Sequence, residues 1–392
     1  MSDTFHRRLA EKLSSLSLFR GILADECVAA FLAFLEEEDG YDKVKLYGEF
    51  ASLLWRRGGS LSSLLRDLCF EDENVYVKRK AQGKEIPASL EENVKAELDM
   101  LSSITDITYK DLVSSVHYSG YLAAFDCESI DIYDEYHRRT SDISRYGYGI
   151  FARYTMFRVD GNEIKPIEAA DSISFDSFIG YADERKKIYD NTLALVEGRP
   201  AANALLCGDA GTGKSSTVKA VANELSDMGV RLIELRKDQL TMLPYIMGRI
   251  AYNPLKFIIF VDDLSFNKND DCFSMLKAAL EGSASAKADN AVIYATSNRR
   301  HIVKETFADR GDDDVHRLDT MQELMSLSER FGLVVYFSKP AKALYLEIVH
   351  ALADKAKITT DRNELDIKAE AFALAKGNRS PRAAEQFIKS LM

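Results

Sequence analysis

From about residue 204 the chain repeats one grammar: a short unbroken apolar run, a helical stretch, then another apolar run. NALLCG, RLIEL, FIIFV, AVIYATSN and LVVYF are the runs. A strand with one wet face alternates apolar and polar residues, because successive side chains point to opposite faces. Runs without that alternation need apolar cover on both faces, and a parallel sheet with helices packed on each side supplies it. An α/β layer structure is therefore predicted for the C-terminal two thirds.

The first 150 or so residues read differently. SLEENVKAELDMLSS carries the spacing of a helix N-terminus, with Ser89 as the expected N-cap and Glu92 three residues on. YGEFASLLWRRGGSLSSLLRDLCF reads as two helical pieces broken at Gly58-Gly59. FARYTMFRVDGNEI has strand-forming residues around Asp160-Gly161, a hairpin turn signal. The last 50 residues hold three helical patterns, ALYLEIVHALADKA, DIKAEAFALAKG and SPRAAEQFIKSL, the last opened by Ser380 as N-cap and Pro381 at the first helical position. The expected domains are an acidic, mainly helical one over 1–147, a nucleotide-binding αβα domain over 148–340 and a helical lid over 341–392.

Charge sharpens this division. The net charge of −11 is concentrated in residues 1–144, which hold 17 Lys/Arg against 27 Asp/Glu. Gripping a phosphate backbone needs net positive charge, so this segment suits a protein partner better than nucleic acid. Five scattered cysteines form no metal-ligand spacing, and reduced thiols are expected. No apolar run is long enough for a membrane span, and the N-terminus lacks the pattern of a secretory signal. The cytoplasm is the expected location.

The chemistry sits in two stretches. GDAGTGKSS follows a strand pattern, opens a helix pattern and fits G-x-x-x-x-G-K-[ST]. Gly208, Gly211 and Gly213 allow the backbone to curl so that the N–H groups of Asp209, Ala210, Thr212 and Ser216 and their neighbours face phosphate oxygens. Lys214 should reach the terminal phosphates, and Ser215 should ligate Mg²⁺ through its hydroxyl. The second stretch, FIIFVDDLSF, ends a buried strand in two aspartates. Strand alternation sends the pair to different sides, which excludes a dyad sharing one proton. Asp262 is placed to hold the metal, and Asp263 to act on a water attacking the γ-phosphate.

Strand, phosphate loop and helix, then FVDDLSF, IYATSNRRH, LSERFGL and RSPRAAEQF, together resemble an AAA+ ATPase. The resemblance is to a bacterial AAA+ family known only as a domain of unknown function, and it covers roughly residues 170–392. It implies a P-loop αβα sandwich with a parallel five-stranded sheet, a C-terminal helical lid, ATP and Mg²⁺ as ligands, and an oligomer. It further implies that Asn298 senses the γ-phosphate or water, and that Arg330 reaches a neighbouring subunit's nucleotide. Arg382 would contact the γ-phosphate from the lid, with Arg379 the rival for that place, and Ile179, Gly180 and Tyr181 would lie near the adenine. Most AAA+ proteins carry glutamate where Asp263 stands. A carboxylate about 1.4 Å shorter implies either a closer strand end or slow turnover, since displacement of about 1 Å can cost on the order of 100-fold in rate. Arg299, Arg300 and His301 read equally as a solvated loop or a contact to nucleic acid or a neighbour's nucleotide. The acidic stretch around Asp312–Asp314 reads as an exposed loop.

The expected function is an AAA+ ATPase that couples hydrolysis to remodelling or loading of a client protein. Two other classes stand beside it: a nucleotide-gated adaptor or DNA-associated loader with slow hydrolysis, and a P-loop small-molecule kinase. The sequence of Asn298, Arg330 and Arg382 argues against the kinase.

Overall fold

A computed structural model of the chain describes residues 2–38, 40–114, 116–168, 173–264, 276, 280, 289–298 and 329–392. It divides into two compact units. The first comprises residues 1–153 together with 252–254, and the second comprises 154–251 and 255–392.

The described helices of the first unit are α1 (Ser2–Ser14), α2 (Glu26–Glu36), α3 (Tyr41–Arg56), α4 (Leu61–Glu71), α5 (Val75–Ala81), α6 (Ala88–Thr105), α7 (Tyr109–Val113), α8 (Ile132–Ser141) and α9 (Ile143–Tyr146). They enclose one core in which Phe19, Phe31, Phe34, Phe50 and Tyr47 are almost fully buried. The break between α3 and α4 falls at Gly58 and Gly59, both in left-handed conformation, as the sequence led one to expect. The start of α6 differs from expectation. Pro87 is its N-cap and Ser89 lies inside the first turn, with no side-chain cap bond. Proline has no N–H to donate and disfavours helix in the residue before it, so it sets the boundary two residues earlier.

The second unit is built on a seven-stranded sheet of order β2-β1-β4-β5-β6-β3-β7. The strands are β1 (Met156–Asp160), β2 (Glu163–Pro166), β3 (Ala204–Gly208), β4 (Val230–Leu235), β5 (Lys256–Val261), β6 (Ala291–Ser297) and β7 (Leu333–Phe337). The five apolar runs are β3 to β7, and all pair parallel. The expectation of a five-stranded sheet is therefore corrected to seven strands. The Asp160-Gly161 hairpin adds β1 alongside β4 in parallel and β2 antiparallel to β1. The addition has a physical cause: Met156, Phe157 and Val159 are buried, and they cover an edge of β4 that would otherwise be open. The new outer strand is EIKP, whose charges and proline discourage further pairing.

Both sheet faces are covered. Leu206, Leu232, Ile258, Phe260 and Tyr294 pack with Ile188 of α10 (Ala182–Val196) and Val218 and Val221 of α11 (Lys214–Glu224). Residues of opposite phase, including Leu205, Ile233, Ile259 and Ile293, are also buried. That double burial explains the unbroken apolar runs. After α12 (Leu243–Ile250) and the last strands come α13 (Lys342–Lys355), α14 (Arg362–Ala375) and α15 (Pro381–Lys389), which share a small core of Tyr345, Val349, Ala369, Ala384 and Phe387. Ser380 Oγ accepts the Ala383 N–H at 3.1 Å and so caps α15. Among the described residues, no helix is long and apolar enough to cross a membrane.

Candidate functional site

The register of three central strands assembles the site. Val261 of β5 pairs with Ala295 of β6, so the next residues, Asp262 and Thr296, fall side by side. Cys207 of β3 pairs with Ser297, which brings Gly208 next to Asn298. The carboxyl ends of β3, β5 and β6 thus open at one edge, where α/β sheets gather ligands. They border a cleft of about 360 Å³ lined by Ala210–Ser216, Asp262, Asp263, Thr296 and Asn298 on one side. Ser177, Phe178, Ile179, Tyr181 and Arg185 line it near the start of α10, and Ile348, Leu352, Pro381, Arg382 and Glu385 line it from the last three helices.

The loop between β3 and α11 fixes its own shape. Gly208 is at φ +143°, and a Cβ there would sit 2.1 Å from the Phe337 carbonyl oxygen of β7. Gly213 is at φ +92° and leads directly into α11. Thr212 Oγ1 donates to the Asp209 carbonyl at 2.9 Å and closes the turn. The open N–H groups of the helix start are left facing the cleft, an arrangement suited to an anion.

Lys214 is only 5 % exposed. Its Nζ donates to the carbonyls of Gly208 (2.9 Å) and Asp209 (2.7 Å) and to Asn298 Oδ1 (2.9 Å), which uses all three of its protons. Burial pushes its pKa below the ordinary lysine value, and the charges of Asp209, Cys207, Asp262 and Asp263 oppose that push. Asp262 Oδ1 accepts from Ser215 Oγ (2.7 Å), Thr296 Oγ1 (2.6 Å) and the Asp263 N–H (3.1 Å). Asp263 Oδ1 accepts from Asn298 Nδ2 at 2.7 Å. Lys214, Asn298 and Asp263 therefore form one chain of polar contacts, and Ser215, Asp262 and Thr296 form another. The two carboxylates have separate side-chain partners, although the Asp263 N–H donates to both Asp262 Oδ1 and Thr296 Oγ1. Alternation alone does not produce this, because Asp263 adopts a left-handed conformation at φ +53° that turns the strand end. Such a backbone costs an L-residue on the order of 1–2 kcal/mol and is found where surrounding structure over-determines it.

The other residues singled out in the sequence are distributed unevenly. Ile179 and Tyr181 line the cleft. The Tyr181 hydroxyl donates to the Ser338 carbonyl at 2.6 Å, and burial, with Glu184 and Asp209 nearby, pushes its pKa up to about 12. Gly180 is not on the lining. It is at φ +74°, and a Cβ there would come within 2.7 Å of Leu344 Cδ1 in α13. Gly208 and Asp209 contribute carbonyls to Lys214 rather than surface to the cleft. Ser216 does line it. Arg382 lines the cleft, and its N–H donates to the Gly211 carbonyl at 3.3 Å. Arg379 makes a two-pronged pair with Glu370 at 2.9 and 2.7 Å and is outside the lining. Arg330, half-buried just before β7, is outside it as well. Arg299, Arg300, His301 and Asp312–Asp314 lie outside the described residues.

Sequence reading missed Thr296, Phe178 and Arg185. Thr296 carried a usable signal, since a polar residue two before Asn298 in an apolar strand invites a partner. Phe178 and Arg185 carried none, because their place in the cleft depends on how α10 begins.

A mostly parallel sheet, with the glycine-rich loop between its first core strand and the following helix, defines a P-loop α/β fold. The chain belongs to the family described as "Protein of unknown function (DUF815)", whose profile matches residues 151–392. Among solved structures it is similar to the Thermotoga maritima RuvB Holliday junction branch migration motor, at 16 % identity and TM-score 0.37, over 55 % of this chain and 63 % of that one. A lysine-to-arginine variant of that motor matches at TM-score 0.38 and 16 % identity, over 55 % of this chain and 63 % of the variant. A proline-to-glycine variant matches at 0.38 and 17 %, over 55 % and 64 %. The match spans less than two thirds of the motor's own length, and likeness at this level carries no residue role from one chain to the other. No curated protein matches the sequence.

Proposed function

We propose that the protein is an AAA+ ATPase that binds and hydrolyses Mg-ATP as an oligomer and couples this to remodelling or loading of a client protein. One observation carries the reading: Lys214 and Ser215 at the start of α11, Asp262 and Asp263 after β5 and Asn298 after β6 converge on a single cleft.

Each residue has a chemical task that its contacts support. The N–H groups of Asp209–Ser216 would hold the triphosphate, and Lys214 would exchange its carbonyl partners for phosphate oxygens. The donor set for a metal is Ser215 Oγ and an Asp262 carboxylate oxygen 2.7 Å apart. Two hard oxygens with room for water fit Mg²⁺, which takes few protein ligands and keeps several waters. Among the described residues, no group of three His, Cys, Asp or Glu side chains could hold a metal without help from substrate. When bound, Mg²⁺ neutralises charge on the phosphate oxygens. Thr296, hydrogen-bonded to Asp262, would fix that carboxylate. Asp263 would accept the proton of the attacking water, with Asn298 orienting it through the 2.7 Å contact. Arg382 would approach the γ-phosphate from the lid. Arg330 would serve the neighbouring subunit's site rather than its own, which agrees with its place outside the cleft lining.

The organisation proposed with this function is an acidic client-facing N-terminal domain over 1–147, a nucleotide domain over 148–340 and a lid over 341–392. A nucleotide-gated adaptor with slow hydrolysis is the second reading. It is favoured by Asp263 itself, a short acid already engaged with Asn298. Phosphate release from ATP, measured against protein concentration with no other acceptor present, tests the proposal. Turnover that rises more steeply than protein concentration supports an assembled ATPase. Turnover well below one per minute at all concentrations, with intact ATP binding, favours the adaptor. Absence of both binding and turnover removes the proposal.

A further inference from the structure

Arg185 has no role in the scheme above, although it lines the same cleft. It lies on the first turn of α10, with its N–H bonded to the Tyr181 carbonyl at 3.1 Å. The residue is only 8 % exposed. Among the described residues its guanidinium makes no hydrogen bond and no ion pair, and its recorded contact is the Phe178 ring, 4.7 Å from Cζ to the ring centroid. Burial lowers its pKa below the usual arginine value, and the charges of Glu184 and Tyr181 oppose that push. Its nitrogens keep some exposure to the cleft and take no acceptor from the described residues, which leaves their donors available to a ligand.

The cleft lining contributed by the start of α10 and the last helices is mixed, with Ser177 and Glu385 as polar members beside several apolar ones. Phe178, Ile179 and Tyr181 face the cleft from one side, and Ile348 and Leu352 from the lid. The phosphate-binding groups proposed above come from the loop after β3, the ends of β5 and β6 and Arg382 at the start of α15. Apolar and aromatic side chains beside one bank of hydrogen-bond donors suit a nucleobase. We propose that Arg185, held over Phe178, reads the base of the bound nucleotide by donating to ring acceptors, and makes the site select purine over pyrimidine nucleoside triphosphates. Adenine and guanine both present the N7 acceptor, and pyrimidines have no such atom. The two-ring purine also covers more of the wall formed by Ile179, Ile348 and Leu352. The inference rests on the nucleotide reading of this cleft.

Dissociation constants for ATP, GTP, CTP, UTP and inorganic tripolyphosphate, all with Mg²⁺, test it in the full-length parent, Arg185→Met and Arg185→Lys. Tripolyphosphate has no base, so it separates the two ends of the cleft. The parent should bind ATP and GTP about tenfold or more tightly than CTP and UTP. Arg185→Met should weaken both purine nucleotides about tenfold, as expected for a charge-assisted hydrogen bond, and leave tripolyphosphate within about twofold. Arg185→Lys keeps the stem and the charge, so the fold is safe, but loses the planar fork; it too should lower the purine-to-pyrimidine ratio. Tripolyphosphate and ATP weakening in step would overturn the assignment by placing Arg185 on the phosphates. An unchanged ratio in Arg185→Lys would overturn it by leaving only a packing role. A parent that binds neither ATP nor tripolyphosphate would instead remove the nucleotide reading itself.

Discussion

Asp263 concentrates the backbone cost of the site and its proposed chemistry in one residue. Its left-handed backbone is what aims its carboxylate at Asn298 while Asp262 stays with Ser215 and Thr296. Two substitutions separate these effects. Asp263→Asn should bind ATP as the parent does and release phosphate more slowly by about 100-fold or more, the usual worth of a positioned general base. Asp263→Gly relieves the backbone at the same place, so it should melt no lower than the parent while losing the same activity. Calorimetry together with a phosphate assay checks both, and a Gly variant that melts several degrees lower would contradict the strain. Gly208 is constrained in the opposite sense. Gly208→Ala would push a methyl group against the Phe337 carbonyl, 2.1 Å away, and must part β3 from β7. It should give little folded protein, read by circular dichroism of the purified variant.

At the scale of elements, short polar ties fix where helices begin and how loops return. Glu97 of α6 is one. Its carboxylate accepts the N–H groups of Ser17, Leu18 and Phe19 at 3.0–3.1 Å. Burial pushes its pKa up, but these donors and the Ser17 hydroxyl more than offset that, and the net shift is below the ordinary 4.5. A carboxylate with a depressed folded pKa contributes stability that is present above its unfolded value and is lost as pH falls through the folded one. The parent should therefore lose melting temperature as pH drops below about 4.5, and Glu97→Gln should lower stability at neutral pH and flatten that acid limb. Ser380→Ala removes the cap of α15 and should cost about 1 kcal/mol. Because α15 also carries Arg382, the same variant should reduce turnover more than it reduces stability. A loss of stability with unchanged turnover would detach the lid from the site.

The elements were largely legible in the sequence, and for identifiable reasons. β3 to β7 announced themselves because burial on both faces forbids alternation, and Gly58-Gly59, Asp160-Gly161 and Ser380-Pro381 are local signals that tertiary structure did not override. Ser89 failed because Pro87 competes for the same boundary. The seventh and sixth strands failed because a hairpin signal says nothing about which sheet edge it will join. In the site, Lys214, Ser215 and Asp262 could be named from two motifs and Asn298 from the family resemblance, and the register then brought them together. Thr296 was recoverable from strand phase. Arg185, Phe178, Ile348 and Leu352 were not, since they meet only when α10 and the last helices close over the loop.

For the whole molecule the account predicts activity that depends on assembly. Arg330 stands outside the cleft lining of its own chain, so Arg330→Ala should leave ATP affinity unchanged and remove most turnover, by about 1000-fold or more if it completes a neighbour's site. Adding Asp263→Asn subunits to Arg330→Ala subunits should restore part of the lost phosphate release, since each supplies what the other lacks. No recovery on mixing would place Arg330 within its own subunit's structure instead. All of this depends on a triphosphate seated on the loop after β3. The most direct measurement is a calorimetric titration of ATP with Mg²⁺ into the parent and into Lys214→Ala. Saturable one-site binding in the parent and its loss in the variant is the predicted result, and equal affinity in the two proteins would contradict the account.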